Sequence, residues 1–140
     1  MAALIEGFTM GQATRLSGVP ARTIDYWDTS GFLQPTIQQA SGKGSTRLWS
    51  FDDLVALRVA GHLRGAGISL QALRKVIAHL RDRTPPASFR NTYLVSDGRD
   101  VFDKSGDELI STLRAPGQSV FAWIIDMGAV IEELKAAIAA

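Results

Sequence analysis

Apolar residues recur along this chain in short runs, and the period of each run predicts an element. Ala13, Leu16 and Val19, then Ile24 and Trp27, alternate with polar residues at the spacing that gives a helix one buried face. Thr9 and Gln12 precede the first run as a capping box, each side chain satisfying an orphan amide near the other. Gly18 breaks the chain. Pro20 can open a second helix because a first-turn amide has no intrahelical partner to lose, and Gly31 can close it in a left-handed conformation. Further on, Phe32-Leu33-Gln34-Pro35 and Arg47-Leu48-Trp49 flank a polar, glycine-containing tip, which predicts a β-hairpin with a long loop.

Ser50 then caps a longer helix, with Asp52 and Asp53 at the positive end of its dipole. Phe51, Leu54, Val55, Leu57 and Leu63 form its apolar side, and Gly65-Ala66-Gly67 ends it. Ser69 opens another helix, in which Leu70, Leu73, Val76, Ile77 and Leu80 recur at helical spacing while Arg74, Lys75, Arg81 and Asp82 lie elsewhere. Pro85-Pro86 stops that helix, since a residue before proline is pushed out of helical geometry, and marks a boundary. Beyond it, residues 92–96 and 99–103 read as strands around an Asp97-Gly98 turn. Residues 106–114 read as a short helix, 118–125 as a third strand rich in β-branched and aromatic residues, and Asp126 as the cap of a last helix reaching Ala139. The resulting fold class is α+β, mainly α. Two helices around a glycine-containing turn, followed by the hairpin, outline a winged helix-turn-helix over residues 8–83; a small α+β appendage follows over 90–140.

Composition narrows the function classes. The chain has 140 residues, 46% of them hydrophobic, enough for one good core and a small second unit. It contains no cysteine, which removes disulfides and thiolate ligands, and its two histidines, His62 and His79, lie far from any ligand-like carboxylate cluster. No metal site and no cofactor are expected. Residues 1–7 lack a basic or long apolar run, and nowhere do about 18 apolar residues follow one another, so a soluble cytoplasmic protein without a membrane partner is expected. Net charge is only +1, but its distribution is uneven. Residues 1–83 carry ten Lys and Arg against six Asp and Glu, whereas residues 84–140 carry five against eight. The positive field sits on the helix-turn-helix half, where phosphates would need it.

These segments together resemble the MerR-type transcription regulators. The resemblance rests on Phe8-Thr9-Met10-Gly11-Gln12-Ala13, Leu16-Ser17-Gly18-Val19, Arg22-Thr23-Ile24 with Tyr26-Trp27-Asp28, Gly31-Phe32-Leu33-Gln34-Pro35, Thr46-Arg47-Leu48-Trp49-Ser50-Phe51-Asp52-Asp53-Leu54 and Leu63-Arg64-Gly65-Ala66-Gly67-Ile68-Ser69-Leu70, in unbroken order over residues 8–83. It implies a homodimer binding a pseudo-palindromic operator in double-stranded DNA, often distorting the duplex between half-sites. By the same resemblance, recognition-helix contacts fall on Arg22, Asp25, Tyr26 and Trp27, first-wing contacts on Thr46 and Arg47, and a second-wing contact on Arg64.

The chemistry of the residues refines that assignment. Arg22, in the first turn of the recognition helix, suits a bidentate bond to guanine. Arg47 and Arg64 suit phosphates, which position without specifying, and Lys43 in the wing tip adds screened attraction. Tyr26 has two readings, a hydroxyl on a phosphate or a core ring, and Trp27 suits packing better than exposure. Asp25 stands where the family commonly has a basic residue. It is expected either to accept from cytosine N4 or to orient Arg22. Pro85-Pro86 also forbids the long dimerisation helix usual in the family, and the cysteines of its metal-sensing members are absent. Residues 90–140 are therefore expected to supply the dimer contact, with Phe121, Trp123, Ile125, Ile131 and Leu134 as apolar material. Alternatives are a small-molecule or protein sensor, in which Phe89, Tyr93, Phe102, Phe121 and Trp123 either line a pocket or, as such aromatics more often do, form core, and an excisionase-like architectural DNA binder. No catalytic constellation is present: Asp52-Asp53 and Glu132-Glu133 have helix-start and solvated-face roles.

Overall fold

In the computed structural model, which describes residues 7–38, 47–81, 91–98, 101–109 and 122–140, helix α1 (Met10–Ser17) begins on the capping box. Thr9 Oγ1 accepts from the Gln12 amide at 3.3 Å and Gln12 Oε1 accepts from the Thr9 amide at 2.9 Å. Gly18 ends the helix at φ 79°, a conformation that other residues adopt only with strain. After Pro20, α2 (Ala21–Thr29) runs until Gly31 turns the chain, and the amides of Phe32 and Leu33 both return to the Trp27 carbonyl. The two pieces expected to flank the hairpin do not pair with each other: residues 32–35 form no strand, Leu48 bridges Gln38 and Trp49 bridges Phe8, both antiparallel. The expected tip lies outside the described residues.

Helix α3 (Phe51–Gly65) differs from the one-sided helix that its periodicity predicts. Leu54, Val55, Ala56, Leu57, Val59, Ala60 and Leu63 are all buried, because α1 packs on it, as do α4 (Leu70–Arg81) and the C-terminal helix α5 (Met127–Ala139). A Cβ on Gly61 would stand 2.7 Å from Val19 Cγ2, so glycine is what lets α3 approach the helix-turn-helix turn this closely. Helix α4 buries Leu73, Val76 and Ile77, the face that its periodicity predicts.

The C-terminal residues form a three-stranded antiparallel sheet, β2-β1-β3, from β1 (Thr92–Ser96), β2 (Val101–Ser105) and β3 (Trp123–Asp126). Val95 pairs with Phe102 on one side and Ile124 on the other. Residues 106–109 make a helical turn, and the remainder of the helix expected there lies outside the described residues, as do Pro85-Pro86 and the first half of the expected third strand. Asp126 caps α5, its Oδ1 accepting from the Ala129 amide at 3.1 Å.

One apolar core joins both halves: Leu94, Met127, Val130, Ile131 and Leu134 belong to the same cluster as Leu16, Ile24 and Leu54. Arg58 reinforces the join, donating from Nη1 to the Leu16 carbonyl at 2.6 Å and from Nη2 to Glu133 at 3.3 Å. This corrects the expected dimer material. Ile131 and Leu134 are 3% and 0% exposed inside the protomer's own core, Trp123 and Ile125 lean on that core, and Phe121 lies outside the described residues. Among the described residues, no helix is long and apolar enough to cross a membrane.

A buried carboxylate ties the framework together. Asp53 is fully buried; its Oδ2 accepts from the Ser50 amide at 2.8 Å and from the amide and hydroxyl of Thr36, each at 2.9 Å, while Oδ1 takes Arg81 Nη1 at 2.7 Å. Arg81 Nη2 also donates to the Gln34 carbonyl at 3.2 Å. Partial burial and then the Asp53 charge raise the neighbouring Asp52 carboxyl above its ordinary range, with Arg81 pulling the other way. The folded chain then binds this proton more tightly than the unfolded one, so the group costs stability as pH rises through the interval between the two values. Asp53→Ala, which removes a helix cap and strands Arg81, is expected to destabilise by about 3 kcal/mol. Arg81→Ala leaves Asp53 its three other donors and should cost less, about 1–2 kcal/mol. Urea unfolding of both variants checks the order.

Candidate nucleic-acid interface

Helix α2 divides cleanly into two faces. Ile24, Trp27 and Asp28 point inward and are buried; Arg22, Asp25 and Tyr26, at positions i, i+3 and i+4 on the opposite face, are exposed. Of the two readings of Tyr26, the structure supports the exposed one, at 60% accessibility. Trp27 is packed, as its chemistry suggests: it is 4% exposed and sits edge to face on Phe32 with ring centroids 5.4 Å apart, which leaves little of the ring for the contact that the resemblance implies. Arg22 is exposed in the first turn, and among the described residues no carboxylate pairs with it. The start of α2 also lacks a side-chain cap.

The expectation that Asp25 orients Arg22 is overturned, because a different arginine claims it. Arg47 Nη2 donates to Asp25 Oδ1 at 2.6 Å, and Arg47 Nε stands 2.8 Å from Asp28 Oδ2, a charge contact whose N–H is not aligned on the oxygen. Two aspartates from one helix enclose this arginine, whose side chain is only 19% exposed. In the DNA-free protein the Arg47 side chain thus ties the segment after residue 46 to α2 instead of standing free. Lys43 and Thr46 lie outside the described residues.

Arg64 stands at the end of α3, exposed, with Nη1 donating to the Ile68 carbonyl at 3.1 Å across the α3–α4 turn. It shares a groove of about 250 Å³ with Val19, Pro20, Thr23 and Gly61. The groove brings Arg64 beside the first turn of α2, although the two lie more than thirty residues apart in the chain. Arg22 and Arg64 are exposed and without a carboxylate partner among the described residues, whereas Arg47 is paired with Asp25 and Asp28.

Sequence reasoning passed over Asp28 and Arg81. Asp28 reads as one more polar residue of α2, yet it is 1% exposed and anchors Arg47. The available signal was its spacing: a second acid three residues after Asp25 on a helix followed by a basic arm. Arg81 gave no signal, since its partner Asp53 lies 28 residues earlier. The aromatics with two readings, core or pocket lining, divide. Trp123 borders a cavity of about 230 Å³ with Ile68, Ser69 and Val101, and Tyr93 borders one of about 440 Å³ with Asn91, Asp126 and Glu132. Phe102 is exposed, and Phe89 and Phe121 lie outside the described residues. Among the described residues, no three His, Cys, Asp or Glu side chains cluster as metal ligands.

Residues 8–80 match the family described as MerR HTH family regulatory protein. Over 133 residues the chain is 35% identical to an uncharacterised HTH-type transcriptional regulator of Mycobacterium tuberculosis, a match that covers 95% of this chain and 58% of that protein. It is 30% identical over 79 residues to the HTH-type transcriptional regulator HmrR of Sinorhizobium medicae, covering 56% of this chain and 52% of that one. A crystal structure of a MerR-family transcriptional regulator from Bacillus cereus aligns with a TM-score of 0.45 and 23% identity, over 60% of this chain and 59% of the other. The chain thus spans little more than half the length of the curated relatives it matches.

The Arg47 cluster makes an asymmetric stability prediction. Arg47→Ala takes a cation from a carboxylate that is 1% exposed and should cost about 2 kcal/mol. Asp25→Ala removes a partner that is 55% exposed and should cost no more than about 1 kcal/mol. Chemical denaturation of the two variants, side by side, measures the difference.

Proposed function

Because the chain belongs to the MerR family of helix-turn-helix regulatory proteins, we propose that it is a sequence-specific DNA-binding transcription regulator that grips a pseudo-palindromic operator as a homodimer. The observation that carries this reading is the two-faced α2, with Ile24 and Trp27 locked into the core and Arg22 and Tyr26 presented outward. Such a helix lies in the major groove with its N-terminal residues at the base edges. Arg22 reads guanine O6 and N7 with its forked donors. Arg64 and the Tyr26 hydroxyl take phosphates, and Lys43 and Thr46 extend that grip along the backbone.

The division of labour follows from the charges. Arg47 spends its guanidinium inside the protein, holding the segment after residue 46 at a fixed angle to α2, so that the residues beyond it meet the duplex in register. A sensing role for the C-terminal residues is a second reading, favoured by the cavity between the α3–α4 turn and the sheet. Ile68 lines that cavity, and its carbonyl holds Arg64, so a small molecule lodged there would bear on the second-wing contact.

Selection from random duplex DNA tests the proposal: an inverted repeat should be recovered, and a pool without enrichment would end it. Arg22→Ala should lose about 1–3 kcal/mol on the selected site and relax the preference at one position in each half-site. Arg64→Ala should instead weaken binding to all sequences alike and lower the slope of log K against log salt by about one. Titrations at several salt concentrations separate the two behaviours.

A further inference from the structure

We infer that Asp25 is a specificity-determining residue that reads the exocyclic amino group of cytosine, with Arg47 as the positioning residue that sets its carboxylate. The inference rests on the DNA-reading role of α2 proposed above and names a base that this helix selects. Asp25 lies on the same exposed face as Arg22 and Tyr26, one helical turn beyond Arg22. Its side chain is 55% exposed, yet its orientation is fixed: Arg47 Nη2 holds Oδ1 at 2.6 Å, and Arg47 is itself held by Asp28, which is 1% exposed. Among the described residues, Asp25 Oδ2 receives no hydrogen bond.

Stability does not account for this carboxylate. The buried Asp28 already anchors Arg47, and an exposed second partner adds little to the fold. On a surface that meets phosphates, an added negative charge weakens binding to every duplex. A group that is costly in affinity and nearly neutral in stability fits a role in discrimination, where a wrong partner is rejected by repulsion as much as a right one is attracted.

The chemistry of the major groove then identifies the right partner. An ionised carboxylate only accepts hydrogen bonds, and the groove offers it two donors, cytosine N4 and adenine N6. Adenine sets the N7 acceptor beside its amino group, which repels the second carboxylate oxygen; cytosine does not. Guanine O6 and N7 and thymine O4 present acceptors alone. Arg22 supplies donors and Asp25 an acceptor, so the two side chains together suit a guanine and a cytosine within neighbouring steps of one half-site.

The test is selection from random duplex DNA with the full chain, its Arg22→Ala, Asp25→Asn, Asp25→Ala and Arg47→Ala variants, and thermal melts of each. The unsubstituted chain should recover a cytosine, favoured roughly tenfold, close to the guanine that Arg22→Ala loses. Asparagine bonds both N6 and N7 of adenine, so Asp25→Asn should change that cytosine to adenine. Asp25→Ala should lose the preference at that position alone and bind mismatched duplexes more tightly. Arg47→Ala should blur the same position, whereas a purely structural role would lower affinity for all sequences without changing the preference. An unchanged base preference in both Asp25 variants overturns the inference while leaving the DNA-reading function standing. No enrichment by the unsubstituted chain overturns both.

Discussion

The geometry of this protein depends on a carboxylate with no access to water. Asp53 collects four donors: two from Thr36 in the segment after α2, one from Ser50 at the start of α3 and one from Arg81 at the end of α4. A buried charge is tolerable only when its lone pairs are fully engaged, so these segments are not free to drift independently. Apolar packing alone would hold them close. The hydrogen bonds fix their angles, because a carboxylate accepts along defined directions and a core of leucines does not.

The same logic recurs nearer the exposed face of α2. Asp28 is buried and holds Arg47, and Arg47 extends outward to Asp25. A chain of charges therefore runs from the interior to the surface, and each member is set by the one behind it. This arrangement separates two kinds of arginine. One kind spends its charge inside the protein to hold elements together, as Arg47, Arg58 and Arg81 do; the other, Arg22 and Arg64, stays exposed. Counting basic residues cannot tell them apart, since every guanidinium carries the same charge in the sequence.

The C-terminal residues are joined to the helix-turn-helix half by a common core. Helix α5 fills the space that α1 and α3 leave open, and Arg58 bridges all three. Burial of Met127, Val130, Ile131 and Leu134 makes this helix a structural wall of the protomer. Leu94 of the sheet and Ile24 of α2 thus belong to the same apolar core.

Local chemistry was legible along the chain, because its causes lie within four or five residues. Thr9 with Gln12, Ser50 with Asp53 and Asp126 with the Ala129 amide each close a helix start with neighbours in sequence, and Gly18 and Gly31 take the left-handed turns that glycine tolerates best. The apolar faces of α1, α2 and α4 followed from their period for the same reason. Contacts that span the chain were not legible. Nothing near Asp25 shows that Arg47, 22 residues away, will take it from Arg22, and nothing in α5 shows that Ile131 and Leu134 will face α3 rather than a second copy. An amphipathic stripe states that a face will be buried, and only the folded chain decides against what. The sequence by itself determined the elements and the face of α2 turned outward; the tertiary structure decided which charges remain on that face, because pairing depends on distances that exist only after the elements have packed.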